Sequence, residues 1–483
     1  MNREVKENNK SYKHLDATVP DHWEVVSFEN VLSDIIGGGT PSKSNPSYWQ
    51  GSIPWLTVKD MRTRRPKDSI DHISAQAVKD SATNIIPADT IIIATRIGLG
   101  KVIRVPFEAA INQDLKALII NKTVEKGYVE YWIVSIARHL ESIGSGTTVK
   151  GIRLEQVRSL PFPLPPLDQQ KLIVAEIEKQ FSRLDEAVAN LKRAKANLKR
   201  YKAAILKAAV EGKLTEEWRK RNPDVEPASE LLEHIVSKRH ATWNRNIVSR
   251  HKKKYVKAKG PEVKGLPSIP STWIWATLPQ LGELNRGKSK HRPRDDGELY
   301  GGPYPFIQTG DIRHAQGIVT KYSKTYSEKG LRQSWLWPKG TLCITIAANI
   351  ADTAILGIDA CFPDSVVGFI PEAGDIEVRF IEYFLRTAKE NIERFAPATA
   401  QKNINLAILG NVGIPLPSKI EQRIIIAEID RRLSVAENIG RSIDIALGRA
   451  LRLRQSILKR AYTGKLVECD DQIENRVRDE QRA

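Results

Sequence analysis

The chain has 483 residues, which allows two or more domains with cores of their own. Its net charge of +18 favours a polyanionic partner such as nucleic acid, although such charge can also serve solubility alone. No apolar run is long enough for a membrane helix, and the polar N-terminal segment is unlike a secretory signal. The three cysteines (Cys343, Cys361, Cys469) are scattered, which argues against disulfides and a zinc site. We therefore expect a cytoplasmic protein with no membrane partner.

An internal repeat with a spacing of about 250 residues organises the chain. Its earlier matches pair segments beginning at Val19, Ile53, Ile86 and Tyr128 with segments beginning at Ile269, Tyr304, Trp337 and Phe380. Its later matches pair 163–165, Gln170, 175–177 and 212–214 with 415–417, Gln422, 427–429 and 464–466. Chance does not place so many matches at one nearly constant offset, so the sequence predicts two duplicated structural units.

Each unit begins with a globular domain. After an N-terminal extension over 1–19, the first domain is predicted over 20–166 and its copy over 268–417. Short β-rich runs, such as 90–94 and 342–346, alternate with turns rich in glycine, proline and asparagine, which predicts an α/β globule. Prolines at 161–166 and 415–417 end the two domains, because proline bars helix continuation.

A long helical segment follows each domain, over 167–216 and 418–467. Residues 168–211 contain neither proline nor glycine, and apolar residues recur in steps of three and four, as in a coiled-coil seam. The predicted seams are Val174, Ile177, Phe181, Leu184, Val188, Leu191, Leu198 and Ile205, and Ile426, Ile429, Leu433, Ala436, Gly440, Ile443, Ala450, Leu453 and Ile457. A helix of this length spans roughly 65 Å. Because one domain cannot cover that length, we expect the two helices to pack antiparallel, with packing of each on its own domain as the alternative.

A linker over 217–267 joins the two units, and a tail over 468–483 ends the chain. The linker contains an amphipathic stretch at 229–236 and a basic run at 250–259. The basic run is either a solvated linker or a non-specific contact with phosphates.

No segment carries a convincing catalytic site. Asn45-Pro46-Ser47-Tyr48 resembles an amino-methyltransferase motif, but too few residues precede it to form the required cofactor-binding unit. The segment 37–44 lacks the glycine that a phosphate loop needs before Lys43, and the histidines show no metal-ligand spacing. We therefore expect no catalytic residue, no metal site and no cofactor bound by this chain.

The ordered and doubled motifs resemble the specificity subunit of Type I restriction–modification enzymes. Each copy closes with Pro-Leu-Pro, a glutamine and a long helix ending in Gly-Lys-Leu. Further matching pieces are 38–41, 48–49, 53–55, 165–167, 169–170, 146–152, Thr399 and 401–405, and the resemblance covers about 15–470. Two departures are Asp168, where the family usually has glutamate, and the absence of Gly-Gly-Thr-Pro from the second copy.

The resemblance implies an α/β fold with two duplicated target-recognition domains separated by two long conserved helices in an antiparallel coiled coil. Each domain would read one half of a bipartite site on double-stranded DNA, and this chain would catalyse nothing. Methyltransferase (M) subunits and restriction/translocase (R) subunits would join it and would carry S-adenosylmethionine, ATP and Mg²⁺. The alternatives are a free-standing DNA-binding regulator, a coiled-coil scaffold without a DNA role, and an enzyme whose active site escapes recognition.

DNA readout requires hydrogen-bonding side chains in the grooves and cations on the phosphates. The candidates in the first domain are Lys43, Ser44, Lys59, Arg62, Arg64, Arg65, Lys67, Arg96, Lys101, Thr147, Thr148 and Lys150. Those in the second are Lys288, Lys290, His291, Arg292, Arg294, Gln308, Arg313, Gln401, Lys402 and Asn403. The clusters 59–67 and 286–294 are the strongest, because both adjoin the duplicated strand-like segments.

An insertion of one helical turn between Ala194 and Asn197 tests whether the long helices set the distance between half-sites. Four added residues lengthen the helix by roughly 6 Å, and base pairs are about 3.4 Å apart. We expect the unspecified spacer to lengthen by about one or two base pairs, with both half-site sequences unchanged, when methylated sites are mapped genome-wide. A variant that still methylates only the original spacing would contradict this prediction.

Overall fold

A computed structural model of the chain describes residues 19–145, 151–242, 257–291, 293–315, 317–347, 351–372, 374–394 and 406–467. These residues form two α/β domains and two long helices, so the predicted fold class is confirmed. Within these ranges, no helix has the length and apolar character needed to cross a membrane.

The first domain contains two four-stranded sheets. Its strands are β1 (Glu24–Ser27), β2 (Leu32–Gly37), β3 (Ile53–Leu56), β4 (Asp71–Ile73), β5 (Ile85–Ile86), β6 (Thr90–Ala94), β7 (Val102–Val105), β8 (Ala109–Ile111), β9 (Leu115–Ile120) and β10 (Pro161–Leu164). Its helices are α1 (Ala75–Lys79), α2 (Lys126–Ser135), α3 (Ala137–Ile143) and α4 (Leu154–Arg158). The sheets have the strand orders β2-β9-β6-β7 and β4-β3-β8-β5. The proline-rich β10 pairs with β1 in a separate two-stranded ladder, where its missing N–H groups are tolerated.

The second domain follows the first long helix, α5 (Leu167–Val210), and the linker helices α6 (Glu216–Arg221) and α7 (Ala228–Thr242). It contains a five-stranded sheet and a two-stranded sheet of β13 and β15. Its strands are β11 (Ile274–Ala276), β12 (Gly282–Arg286), β13 (Tyr300–Phe306), β14 (Ile318–Val319), β15 (Lys324–Tyr326), β16 (Leu342–Thr345), β17 (Thr353–Leu356), β18 (Val366–Pro371) and β19 (Ile414–Leu416). Its helices are α8 (Leu278–Leu281), α9 (Thr309–His314), α10 (Glu328–Arg332), α11 (Val378–Arg394) and α12 (Leu406–Gly410). The main sheet has the order β12-β18-β16-β17-β14, so its first four strands match the order β2-β9-β6-β7 of the first domain.

The cores of both domains are built from the apolar runs that the sequence shows. Ile91 and Ile93 lie in one core with Tyr128 and Trp132, and Leu342 and Ile344 lie in the core of the second domain. Cys343 and Cys361 are buried free thiols, as expected, and burial raises the pKa of Cys361 to about 11. Cys469 lies outside the described residues.

The second long helix, α13 (Lys419–Tyr462), closes the described chain. Contacts divide the chain into two compact units, Met1–Lys192 with Asp444–Ala483 and Arg193–Ile443, so each unit contains one domain and a part of each long helix. The domain and linker boundaries drawn from the sequence stay predictions, because the compact units divide each long helix between them and do not follow those boundaries.

In the first unit, the start of α5 packs on the end of α13. Ile177 and Phe181 share a hydrophobic core with Ile457 and Leu458. The guanidinium of Arg454 lies 4.8 Å from the centre of the Phe181 ring and forms an ion pair with Asp185. Leu453, a predicted seam residue, is instead 51% exposed. The flanking seam residues Ala450 and Ile457 stay buried, so the seam keeps its spacing while Arg454 takes the place of Leu453 against Phe181.

In the second unit, the end of α5 packs on the start of α13. Ile205 shares a core with Ile425 and Ile429. Lys202 lies 3.9 Å from Glu437, and a Cβ atom at Gly440 would lie 3.4 Å from Leu198. Residue numbers therefore rise along α5 as they fall along α13. The antiparallel packing predicted from the sequence is confirmed within this unit.

A buried glutamine fixes each domain to its long helix. Gln170 accepts a hydrogen bond from the backbone N–H of Glu125, just before α2, and donates one to the carbonyl of Pro165. Gln422 accepts from the N–H of Glu377, just before α11, and donates to Pro417. A buried amide side chain needs an acceptor for its NH₂ group and a donor for its oxygen. Both units supply these two partners at the same place, which explains why the glutamine recurs after Pro-Leu-Pro.

The residue just before this glutamine differs between the two units: it is Gln169 in the first and Glu421 in the second. In the first, Trp23 donates its indole N–H to Gln169 at 3.0 Å. In the second, Trp273 donates to Glu421, which is fully buried and also contacts Arg219 at 2.5 Å and the hydroxyl of Thr215 at 2.6 Å. The second unit therefore contains a buried ion pair where the first has a neutral amide.

Removal of Arg219 should leave the buried Glu421 carboxylate without its cation. We expect Arg219→Ala to destabilise the second unit by about 3 kcal/mol, measured by urea unfolding. The double variant Arg219→Ala with Glu421→Gln should recover most of that loss, because glutamine is the residue at the equivalent position 169. Equal stability of the single and double variants would show that the buried charge is not the cause.

Candidate nucleic-acid interface

The strand order of the first domain brings four loop segments to one edge. Gly37 at the end of β2 faces Lys116 near the start of β9, and Ala94 at the end of β6 faces Leu115. The parallel strands β3 and β8 end together, since Leu56 faces Ile111. The segments 38–45, 57–70, 95–101 and 112–114, which we call the first loop edge, therefore leave the sheets on the same side.

Specific contacts hold these segments together. The hydroxyl of Thr40 donates to the side-chain oxygen of Gln113 at 2.5 Å. A Cβ atom at Gly38 would lie 2.0 Å from the carbonyl of Ile111, so only glycine allows this approach. A Cβ atom at Gly98 would lie 3.0 Å from Val58. The segments 57–70 and 95–101 are thus neighbours, which the sequence could not show.

Most candidates of the first domain lie on this edge. The exposed ones are Lys43, Ser44, Lys59, Arg62, Arg65, Lys67, Arg96 and Lys101. Arg96 forms an ion pair with Asp114 at 3.3 Å. Thr147, Thr148 and Lys150 lie outside the described residues, but the flanking Ser145 and Gly151 pair with each other and Ile152 donates to Thr95 on the same edge.

Arg64 and Arg65 have a different environment from the rest of the cluster 59–67. Arg65 lies 2.5 Å from Glu130, a fully buried residue of α2, and the Arg64 guanidinium lies 4.6 Å from the centre of the Tyr131 ring. Arg64 also lies 5.8 Å from the Phe181 ring of α5. These two arginines attach the loop to α2 and α5, and their assignment as DNA contacts stays a prediction. In both domains this buried glutamate is followed directly by two aromatic residues, Tyr-Trp after Glu130 and Tyr-Phe after Glu382. That repeated pattern was the sequence signal for a buried acid that needs a basic partner.

The sequence reasoning missed two polar residues of the first loop edge, Thr40 and Gln113, and one beside it, Lys116 of β9. Lys116 is half-buried, and burial lowers its pKa while Asp114 opposes that change. The signal for Gln113 was the polar turn Asn112-Gln113-Asp114 between two apolar runs. The sequence does not show which part of the domain such a turn contacts. The pairing of β9 with β2 is what brings Gln113 next to Thr40.

The second domain forms an equivalent edge. Arg286 at the end of β12 faces Val367, and Thr345 at the end of β16 faces Val366 at the start of β18. The backbone N–H of Ile307 donates to the backbone carbonyl of Cys361, shortly before β18. The segment after β13 therefore begins beside the end of β12 and the start of β18. We call the segments 287–291, 293–296, 308–313 and 363–365 the second loop edge.

The described candidates of the second domain lie on this edge. Lys288 places its ammonium group 5.4 Å from the centre of the Trp335 ring, and the backbone N–H groups of Lys290 and His291 donate to Gln333. Gln308 precedes α9, on which Arg313 is exposed. Arg292, Gln401, Lys402 and Asn403 lie outside the described residues.

The two edges present different hydrogen-bonding groups at equivalent places. Asp364 occupies the position of Gln113 and accepts hydrogen bonds from Arg294 at 3.0 and 3.2 Å. A Cβ atom at Gly287 would lie 2.3 Å from the Pro363 carbonyl, which repeats the contact of Gly38. The backbone framework is therefore shared, whereas the side chains that face outward differ.

Comparison with known proteins agrees with this duplicated architecture. Residues 20–200 and 270–436 match the Type I restriction modification DNA specificity domain. The chain belongs to this family.

A Type I restriction enzyme specificity subunit, EcoR124I/EcoR124II of Escherichia coli, is 34% identical over 161 residues, which cover 32% of this chain and 39% of that protein. The EcoKI specificity subunit of E. coli K12 is 23% identical over 93% of this chain and 90% of its own length. The crystal structure of the HsdS subunit from Thermoanaerobacter tengcongensis is 18% identical, covers 93% of this chain and 99% of its own, and has a TM-score of 0.58. A chain from a structural study of complex assembly in the type I R-M system, 16% identical over 93% of this chain and 99% of its own, has a TM-score of 0.65.

Arg62 and Arg65 form a matched pair within one loop. With partner subunits co-expressed, Arg62→Ala should weaken DNA binding for all sequences alike and lower the slope of log affinity against log salt by about 0.9, because one phosphate contact is lost. Arg65→Ala should instead lower the unfolding midpoint and leave the salt slope unchanged, because Glu130 loses a partner. Equal salt slopes for Arg62→Ala and the wild type would remove Arg62 from the interface.

Proposed function

We propose that this chain is the DNA sequence-specificity subunit of a Type I restriction–modification complex and that each loop edge reads one half of a bipartite site. The observation that carries the proposal is the duplication itself. Two domains with one backbone framework present basic and polar loops at the same strand ends, with different side chains in each. A site of two unlike halves on a helical polymer requires two such readers.

The composition of the edges suits DNA. Exposed cations such as Lys43, Lys59, Arg62 and Lys101 can bind phosphates and fix the register of the domain on the duplex. Hydrogen-bonding groups such as Thr40 with Gln113, and Arg294 with Asp364, can face base edges in the grooves. Other described candidates, among them Ser44, Lys290, His291 and Gln308, lie on the same edges. The net charge of +18 attracts the duplex at long range.

The chain supplies recognition, and its partners supply the chemistry. M subunits carry S-adenosylmethionine for adenine methylation, and R subunits carry ATP and Mg²⁺ for translocation and cleavage. The long helices are the scaffold for these subunits. Apolar side chains stay exposed along α13 although its seam is packed, among them Ile420, Val435, Ile445 and Leu451. Such side chains on a helix with its own interface already formed support a further protein contact.

Exchange of one domain tests the two-reader arrangement. We replace residues 20–166 with the corresponding domain of another family member, express the hybrid with the M subunits, and map methylated sites genome-wide. The half-site read by the first domain should change, while the other half and the spacer stay the same, because no residue of the second loop edge is altered.

The reciprocal exchange of residues 268–417 is the matched control and should change only the other half. A change in both halves, or in neither, would refute the assignment of one half-site to each domain. Specific DNA binding by the purified chain without any partner would favour the alternative of a free-standing DNA-binding regulator.

A further inference from the structure

Three isoleucines on or beside the first loop edge are exposed to solvent: Ile70 and Ile97 belong to its segments, and Ile85 lies in the neighbouring strand β5. Ile70 and Ile97 are each 56% exposed and Ile85 is 45% exposed, and they are the exposed large hydrophobic side chains among the described residues of this domain. Ile70 precedes Asp71, which faces Trp55 near the end of β3, and Ile85 faces Ala110 near the end of β8. Their position on and beside this edge indicates a surface that contacts a partner.

Ile97 is held rigidly between two cations. It lies between Arg96 and Lys101, in a turn where the N–H of Lys101 donates to the carbonyl of Gly98. Leu99 is buried in the domain core, and the left-handed backbone of Gly98 and Gly100, with φ of +79° and +80°, brings the chain back to the surface. A Cβ atom at Gly100 would lie 2.8 Å from the Ala137 carbonyl of α3. The turn is thus fixed at three points, and little conformational entropy is lost when Ile97 makes a contact.

We propose that Ile97 is a specificity-determining residue that contacts the C5-methyl group of a thymine in the half-site read by the first domain. This inference rests on the proposed function. The thymine methyl is the apolar group that the major groove presents at a base edge, and apolar side chains distinguish thymine from cytosine there. The neighbouring Arg96, Lys101 and Lys59 are exposed and complement the phosphates on either side, so the charge around Ile97 favours DNA over an apolar protein surface.

The experiment replaces each thymine of the mapped half-site, one at a time, with deoxyuridine, which lacks only the methyl group. Affinities are measured with the assembled complex. For the wild type we expect one position where the replacement weakens binding about fourfold. That factor corresponds to about 0.8 kcal/mol, the free energy of burying one methylene-sized group. Ile97→Ala should bind the thymine and deoxyuridine duplexes equally at that position. Ile97→Thr, which keeps the β-branched shape, should show a reduced but measurable preference.

Val263→Ala is the control, since Val263 is 59% exposed in the linker before the second domain and should leave the thymine preference intact. Lys101→Ala separates this inference from the proposed function, because it should lower the salt slope while the thymine preference persists. Full preference in Ile97→Ala, or no sensitive thymine in the wild type, would overturn the role of Ile97 while the proposed function stands. Unchanged binding by Lys101→Ala, Arg62→Ala and Lys43→Ala together would contradict the proposed function itself.

Discussion

The buried glutamine at the start of each long helix is the constraint on which the arrangement of each unit depends. Gln170 and Gln422 each join three elements with one amide: the proline-rich strand end, the first turn of the long helix and the turn before a domain helix. Both amides are almost fully buried, so neither end can exchange its partner for water without cost. The amide therefore fixes how the domain core is oriented on its helix, and through the sheets it fixes the direction in which the loop edge points.

The duplication keeps the framework and varies what the framework presents. Gly38 and Gly287 allow the same close approach of the backbone, and the strand orders around them agree. Gln113 and Asp364 then occupy equivalent positions with different partners, a threonine hydroxyl in one case and an arginine in the other. A change at such a position alters hydrogen-bonding chemistry without cost to the core. This separation of framework from surface is the physical basis of our proposal that one fold reads two unlike half-sites.

The junctions at the helix starts depart from this symmetry in a buried place. The neutral pair of Trp23 with Gln169 has as its counterpart a charged network of Trp273, Glu421 and Arg219. A buried carboxylate is tolerated only beside its own cation. Helix α6, which follows α5 and carries Arg219, supplies that cation to the second domain. The two junctions are therefore chemically distinct although their backbones correspond.

The sequence by itself determined the duplication, the α/β class and the presence of both long helices, which the structure places at Leu167–Val210 and Lys419–Tyr462. These properties follow from local patterns: apolar spacing, proline stops and repeated motifs. Only the tertiary structure decided which basic residues share the loop edge. Arg62 and Arg65 are three residues apart and both are exposed, yet Arg65 forms an ion pair with the buried Glu130 and Arg62 does not. The difference depends on a carboxylate 65 positions further along the chain, which strand pairing and burial bring to one of them, and no local pattern records that partner.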